Sequence, residues 1–353
     1  MSGDVLIRTE GRAGRITLDR PAALNALSYR MTLAIDAALK DWRDDPAVDL
    51  VLIDAAGPRA FCAGGDLGEM HETGTRGDHD YGRRFWRDEY RMDARIAEYR
   101  KPVVSFLHGF VMGGGVGVGC HARHRIIGES AQVAMPECGI GLVPDVGGSL
   151  ILARAPGCLG EYLSVTGARM GPADAVLAGF ADRFVPESEW PALKARMIAT
   201  GEVGPLPVRP APPGRLQALL PEIDAVFSAP DLVAVRDRLT RAETPFMQET
   251  RATLARVSPL SARCAFAILR RLRDPADRAA RDGLTIRQAL RQEYRFTFRA
   301  AEHGDFLEGI RAAIIDKDRN PRWRHSDIGQ VTEAEVEALL APLGPDDLSF
   351  EEV

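Results

Sequence analysis

Apolar and polar positions change their period along the chain, and each change marks an element. Val5 to Arg8 and Arg15 to Leu18 flank Gly11 and predict a β-hairpin. From Ser28, an N-cap residue type, Met31, Ile35, Ala38, Leu39 and Trp42 fall on one helical stripe. Leu50 to Ala55 and Val103 to Leu107 are compact apolar runs, which predicts strands covered on both faces, with a helix between Tyr81 and Tyr99. A glycine-dense stretch, a short strand ending in RIIG and an apolar helix SLILARA follow. Pro172 then opens a helix through Leu177, Gly179 stops it, and ADRFVP returns as a strand. This alternation predicts a layered α/β unit.

The pattern breaks between Gly204 and Gly214, where five prolines in GPLPVRPAPPG exclude regular helix and central strand. Beyond it the periodicity is helical: Leu216 to Ser228, Leu232 to Glu243, Glu249 to Val257, Ser261 to Arg273, Thr285 to Glu302 and Asp305 to Ile315. The expected organisation is an α/β unit over 1–203, a proline-rich connection over 204–214 and a helical region over 215–353. Composition adds little: 353 residues at 45% hydrophobic and 27% charged make an ordinary globular chain with an ample core. A net charge of -5 argues against a duplex nucleic-acid surface. The five cysteines form no CxxC pair, an odd count that reads as reduced thiols. With no basic and apolar leader and no long apolar run, the expectation is a cytoplasmic protein without a membrane span.

Candidate chemistry sits in three glycine-centred loops: FCAGGDL (Phe61 to Leu67), GFVMGGG (Gly109 to Gly115) and MPECGIGLVPDVGG (Met135 to Gly148). Each follows a predicted strand and leads towards a helix, where free backbone N–H groups favour negative charge. Two such groups converging on one point make an oxyanion hole that side chains would only crowd, which nominates Gly65 and Gly114. The third loop carries two acids in apolar sequence, Glu137 and Asp145. Apolar surroundings raise a carboxyl pKa towards neutrality, as an acid or base needs; the alternative is that each merely caps a turn. Gly115, Gly117 and Gly119 imply a close approach to their helix, either by a ligand or by tight packing on the sheet.

These loops together resemble the enoyl-CoA hydratase/isomerase (crotonase) superfamily, and within it the 3-hydroxyacyl-CoA hydrolase branch. The resemblance runs from LDRPAALNALS through all three loops to DFLEGIRAAIIDKDRNPRW. It implies a crotonase spiral of strand–strand–helix repeats, with a helical carboxyl-terminal region closing an acyl pocket. It further implies that the N–H groups of Gly65 and Gly114 bind a thioester oxygen, that Glu137 is the catalytic carboxylate, and that Asp145 is the second acid. Glu89 and Asp66 would contact substrate, and Leu24, Ala26 and Leu27 would lie along CoA, whose phosphates would favour Arg20 or Arg30. The reaction implied is hydrolysis of a short branched 3-hydroxyacyl-CoA, foremost 3-hydroxyisobutyryl-CoA in valine breakdown. CoA is then part of the substrate and no other cofactor is expected. A homo-oligomer is compatible with this reading.

Hydratases of the superfamily carry a second glutamate at the position of Gly117, so hydration is not favoured. Isomerisation by one glutamate, and acyl-CoA binding without turnover, remain as alternatives. His121 and His124 lie three apart on a predicted helix, but no third ligand follows, so they read as packing or surface residues rather than a metal site. Gly115, Gly117 and Gly119 lack the spacing of a dinucleotide loop. Cys62 and Cys138 read as buried thiols.

Overall fold

The computed structural model describes residues 3–241, 243–273 and 284–350. Its strands are β1 (Val5–Glu10), β2 (Ala13–Leu18), β3 (Leu50–Ala55), β4 (Ala60–Cys62), β5 (Val103–Leu107), β6 (Phe110–Met112), β7 (His124–Ile127), β8 (Gln132–Ala134) and β9 (Arg183–Phe184). They form two sheets, one ordered β1-β2-β3-β5-β7-β9 and one ordered β4-β6-β8. Only the β1–β2 hairpin is antiparallel. Each successive pair, β3 and β4, β5 and β6, β7 and β8, contributes one strand to each sheet, which is the predicted spiral. Leu50 and Leu52 face a small core with Phe106, Trp190 and Met197, while Val51 and Ile53 face the main one. The apolar runs are therefore buried on both faces, at about 1.5 to 3 kcal/mol for each large side chain.

In chain order the helices of the first two thirds are α1 (Tyr29–Arg43), α2 (Leu67–Thr75), α3 (Asp80–Ala97), α4 (Gly114–Cys120), α5 (Gly148–Arg154), α6 (Leu159–Thr166), α7 (Pro172–Leu177) and α8 (Trp190–Thr200). Ser28 caps α1 by accepting from the Met31 N–H, and the predicted stripe from Met31 to Trp42 is buried. The helix α4 ends at Cys120, so His121 is its cap and His124 opens β7, not one helix as the sequence predicts. The helices α2, α6 and α8 and the strands β4, β6 and β8 escape the sequence reading, the strands because three residues leave no resolvable period.

The proline-rich stretch forms no helix or strand, and α9 (Leu216–Phe227) begins where Asp174 accepts from the Arg215 and Leu216 N–H groups. After it come α10 (Leu232–Thr240), α11 (Pro245–Leu254), α12 (Pro259–Arg273), α13 (Ile286–His303), α14 (Phe306–Ile310) and α15 (Glu333–Leu340). Several expected boundaries move. The α10 helix stops at Thr240, and α11 starts at Pro245 because Thr244 accepts from Met247 N–H. The predicted helix over Asp305 to Ile315 is α-helical only to Ile310 and continues as a π-turn over Arg311–Ile315. Lys317 and Arg319, both with positive φ, turn the chain away afterwards.

The carboxyl-terminal helices pack on the spiral without a break. The α12 helix lies against α5 and α6, α13 against α3, and one apolar cluster runs from Val5 to Phe350. Gly141 and Gly309 permit the closest approach. A side chain at Gly309 would meet the Ile140 carbonyl oxygen at 2.1 Å, and one at Gly141 would meet Asp305 backbone at 2.4 Å. The loop that carries Glu137 is thus clamped from the carboxyl-terminal side, where Ser258 N–H also donates to Cys138 O at 2.9 Å.

Candidate active site

A cavity of about 150 Å³ lies between the spiral and the π-turn that follows α14. Five of the sequence-nominated residues line it: Gly65, Gly114, Glu89, Glu137 and Asp145. Its apolar walls include Leu67, Met70, Phe85, Trp86, Leu142 and, from the π-turn, Ile314.

The two glycines meet because the chain doubles back tightly around them. Gly64 takes φ +120 and Gly113 takes φ +48, conformations that side chains other than glycine rarely adopt. Leu27 runs beside Gly65 as a parallel bridge, with its N–H on Gly64 O at 2.9 Å and its carbonyl accepting from Asp66 N–H at 2.8 Å. The Gly65 N–H is skipped by that pairing. Gly114 opens α4, so its N–H has no acceptor within the helix, and among the described residues neither N–H donates to a backbone carbonyl. A Cβ placed on Gly114 would lie 3.5 Å from Gly65 N, so the two donors border the same space.

Carboxylates surround that space. Glu137, 4% exposed, opens a 3-10 turn after Pro136 and points its Oε1 to within 3.1 Å of a Cβ position on Gly113. Its Oε2 has no hydrogen-bond partner among the described residues. Glu89 approaches a Cβ position on Gly114 to 3.0 Å and is 2% exposed, so it is no solvated helix carboxylate. Asp145 accepts from the Tyr90 hydroxyl at 2.7 Å. Burial pushes Glu137 and Glu89 well above the ordinary carboxylate range, and Asp145 adds to the rise in both. Burial also lifts Asp145, to about 7, although the Tyr90 bond opposes it. Such groups keep their protons to higher pH than ordinary carboxylates, beside two N–H donors that stabilise negative charge on oxygen.

Two residues that sequence reasoning missed, Glu293 and Asp93, complete the surroundings. Glu293 of α13 accepts from Gly147 N–H at 2.8 Å and Ser149 N–H at 3.1 Å, and the Ser149 hydroxyl also donates to it, so it caps α5 just beyond Asp145. Burial raises it to about 8. Its only sequence signal is a glutamate on the apolar stripe of Ala289, Leu290 and Phe296. Asp93 of α3 is fully buried, its carboxylate 2.6 Å from a Cβ position on Gly117. Ile314, on the carboxyl-terminal stripe expected to close the pocket, reaches its wall from a π-turn.

Other nominated residues lie elsewhere. Leu27 is buried against Gly114, and it, Leu24, Ala26 and Asp66 all lie outside the cavity lining. Arg20 donates to the Ala26 carbonyl at 2.8 Å and to Asp66 at 3.0 Å, and Arg30 pairs with Asp4. Both arginines thus already have acidic partners. The α4 glycines serve close packing: side chains at Gly115 and Gly119 would strike Cys62 O and Phe61 at 2.2 and 2.7 Å. His121 bonds the Val146 carbonyl at 2.8 Å and steadies the turn after Asp145, with burial lowering its pKa to about 4. Cys62 and Cys138 are buried, and burial raises Cys62 to about 12.

The family profile described as Enoyl-CoA hydratase/isomerase matches residues 13–340. The chain is similar to a 3-hydroxyisobutyryl-CoA hydrolase, mitochondrial, of Gallus gallus, with 35% identity over 362 residues that span 99% of this chain and 91% of that protein. It is also similar to a crystal structure of an enoyl-CoA hydratase from Rhodobacter sphaeroides, at 58% identity and TM-score 0.93, over 98% of this chain and 100% of that one. A carnitinyl-CoA dehydratase from Mycobacterium thermoresistibile matches with 37% identity and TM-score 0.90 over 100% of both chains.

Proposed function

The chain belongs to the enoyl-CoA hydratase/isomerase family and is an enzyme of the crotonase superfamily, and from that premise we propose that it hydrolyses a short branched 3-hydroxyacyl-CoA, foremost 3-hydroxyisobutyryl-CoA. The observation that carries this reading is the Glu137 carboxylate facing the Gly65 and Gly114 N–H groups inside one small cavity. A cavity of about 150 Å³ is large enough for benzene, so the volume of about 150 Å³ suits a short acyl group.

In this mechanism the thioester oxygen sits between the two N–H groups, which stabilise it as it becomes negative. Glu137 takes a proton from a water whose oxygen adds to the carbonyl carbon. The carbon–sulfur bond then breaks, and the proton held by Glu137 passes to sulfur, giving the acid and the free thiol of CoA. Direct attack by Glu137, with water opening the resulting anhydride, gives the same products. Asp145, held by Tyr90, accepts the 3-hydroxyl or orients the water. The chemistry asks for no metal or separate cofactor.

A second reading, hydration of an enoyl-CoA, is supported by the description of the Rhodobacter structure. The structure also places Glu89 and Asp93 next to Gly114 and Gly117. The glycine at 117 therefore leaves the site with further carboxylates, and the sequence argument against hydration loses its force. Incubating the enzyme with a panel of acyl-CoA thioesters separates the readings. Free thiol from 3-hydroxyacyl-CoA is the expected result, and loss of enoyl-thioester absorbance without thiol release would overturn it.

A further inference from the structure

Asp93 is the most unusual buried group that the mechanism leaves unused. It is 0% exposed, and neither carboxylate oxygen has a hydrogen-bond partner among the described residues. It lies one turn beyond Glu89 on the buried face of α3, at the i, i+4 spacing that brings side chains together. On its other side it packs directly over Gly117, with Oδ1 and Oδ2 at 2.6 and 2.9 Å from a Cβ position there. The space for this acid exists because α4 carries glycine at that point.

The charges that act on Asp93 are all acidic: Glu89 from α3, Asp145 from the loop before α5, and Glu293 from α13. The α4 helix offers only glycine, valine and a cysteine. Where α1 meets α3, its Asp36 is engaged by Arg95 and Lys40. Where α2 meets α3, the contact is Tyr81 on Glu69. A carboxylate without a cation or donor, surrounded by other acids, is far more stable with its proton on. Burial first, then Glu89, Asp145 and Glu293, raises its pKa well above the ordinary value.

We propose that Asp93 is a positioning residue that shares one proton with Glu89, so that the pair never carries two negative charges and Glu89 keeps a proton to donate as a hydrogen bond into the cavity. Glu89 is the member that touches the Gly114 side of the cavity, and Asp93 stands behind it. The proposal rests on the thioester reading only for the target of that hydrogen bond, the bound acyl group. The shared proton itself is a property of the folded protein.

The sign follows from linkage. A carboxyl whose folded pKa exceeds its unfolded value contributes stability that is present below the unfolded pKa and is lost as pH rises towards the folded one. In the pair one proton is bound, and Asp93→Asn leaves it on Glu89 alone, which gives it up at lower pH. Thermal denaturation of wild type and Asp93→Asn between pH 4 and pH 9 is therefore expected to show the same decline in stability with pH until Glu89 ionises in the variant, and above that point a decline up to one proton shallower, a difference of roughly 2 to 4 °C or more at the alkaline end. The slope is read, because the buried amide shifts stability equally at every pH. Should Asp93→Asn not fold, Glu89→Gln must show the same flattening, with Asp93 as the remaining acid. Combined, the two substitutions must be non-additive. In thiol release, the alkaline limb of kcat/KM is expected to move down by about one pH unit or more in Asp93→Asn, because Glu89 alone gives up its proton earlier. Parallel pH slopes in wild type and variant, or an alkaline limb that stays in place, would overturn the proposal. Absence of thiol release from the wild type would overturn the hydrolase reading instead, and the stability slope would still decide Asp93.

Discussion

Asp54 and Glu137 are both acids buried in the spiral, on opposite faces of the large sheet, and they are treated in opposite ways. Asp54, 3% exposed, accepts from Lys194 at 2.7 Å, Arg15 at 2.8 Å and Thr17 at 2.6 Å. Burial pushes its pKa up, but Lys194, Thr17 and Arg15 outweigh it and hold the group below the ordinary range. Around Glu137 the neighbouring charges are Asp145 and Glu293, and burial together with those acids pushes it up. Equal burial therefore yields a fixed anion in one place and a proton-binding group in the other. What separates them is whether a cation was brought in with the acid.

The two regions must respond to pH with opposite sign. Asp54, with a depressed pKa, contributes stability above its unfolded pKa that is lost as pH falls. Asp145 and Glu293, raised to about 7 and about 8, contribute stability at low pH that is lost as pH climbs towards those values. Stability is expected to peak at mildly acidic pH, and thermal midpoints across pH check it.

The largest effect is expected at the paired site. Asp54→Ala leaves the largely covered Lys194 without its anion, while Arg15 keeps Glu10 at 3.1 Å, a loss of about 3 kcal/mol in denaturant unfolding, the low end for a broken buried pair. Turnover of the folded fraction should stay unchanged, and a fall in kcat would show that the two regions are coupled. Glu137→Gln comes next. It should lower turnover on the order of a hundredfold, equivalent to about 2.7 kcal/mol, while raising stability because a buried unpaired acid is neutralised. Near wild-type thiol release would remove Glu137 from the mechanism.

Asp145→Asn sharpens the pH contrast. It should stabilise the protein by about 1 to 3 kcal/mol at pH 8 and by almost nothing at pH 4. On activity, it should slow hydrolysis of a 3-hydroxyacyl-CoA more than that of the acyl-CoA lacking the hydroxyl. Equal losses on both substrates would give the residue to water instead. The smallest effect belongs to Ile314, 38% exposed at the cavity wall. Ile314→Ala should raise KM by about tenfold or less and leave kcat near wild type, and an unchanged KM would remove the π-turn from substrate contact.

How much of this was legible depends on how local the cause is. The helix start at Ser28, the span Pro172 to Leu177 and the strands at Leu50 and Val103 follow from caps, proline and apolar period, each contained within a few residues. The glycine loops were legible for the same reason, since φ at Gly64 and Gly113 is demanded by the turn itself. The nominations of Leu24, Ala26, Leu27 and Asp66 came from resemblance, and these residues lie beside the cavity rather than in its lining. The helix expected to run to Ile315 gave way at Ile310 because Arg311, bonded to Glu308, Asp316 and Asp318, gathers the following turn around itself.

The sequence by itself determined the α/β alternation, the two N–H-bearing glycine turns and the presence of Glu137 and Asp145 in apolar surroundings, because backbone conformation and burial period are written in neighbouring residues. Only the tertiary structure decided which acids face each other. Glu89 and Asp93 reach Gly114 and Gly117 through the rotation of α3, Glu293 meets Gly147 and Ser149 from about 145 positions away, and Lys194 meets Asp54 across 140. Their protonation follows from those meetings: a carboxyl pKa is set by whatever charge and solvent the fold brings beside it, and no local pattern along the chain encodes that.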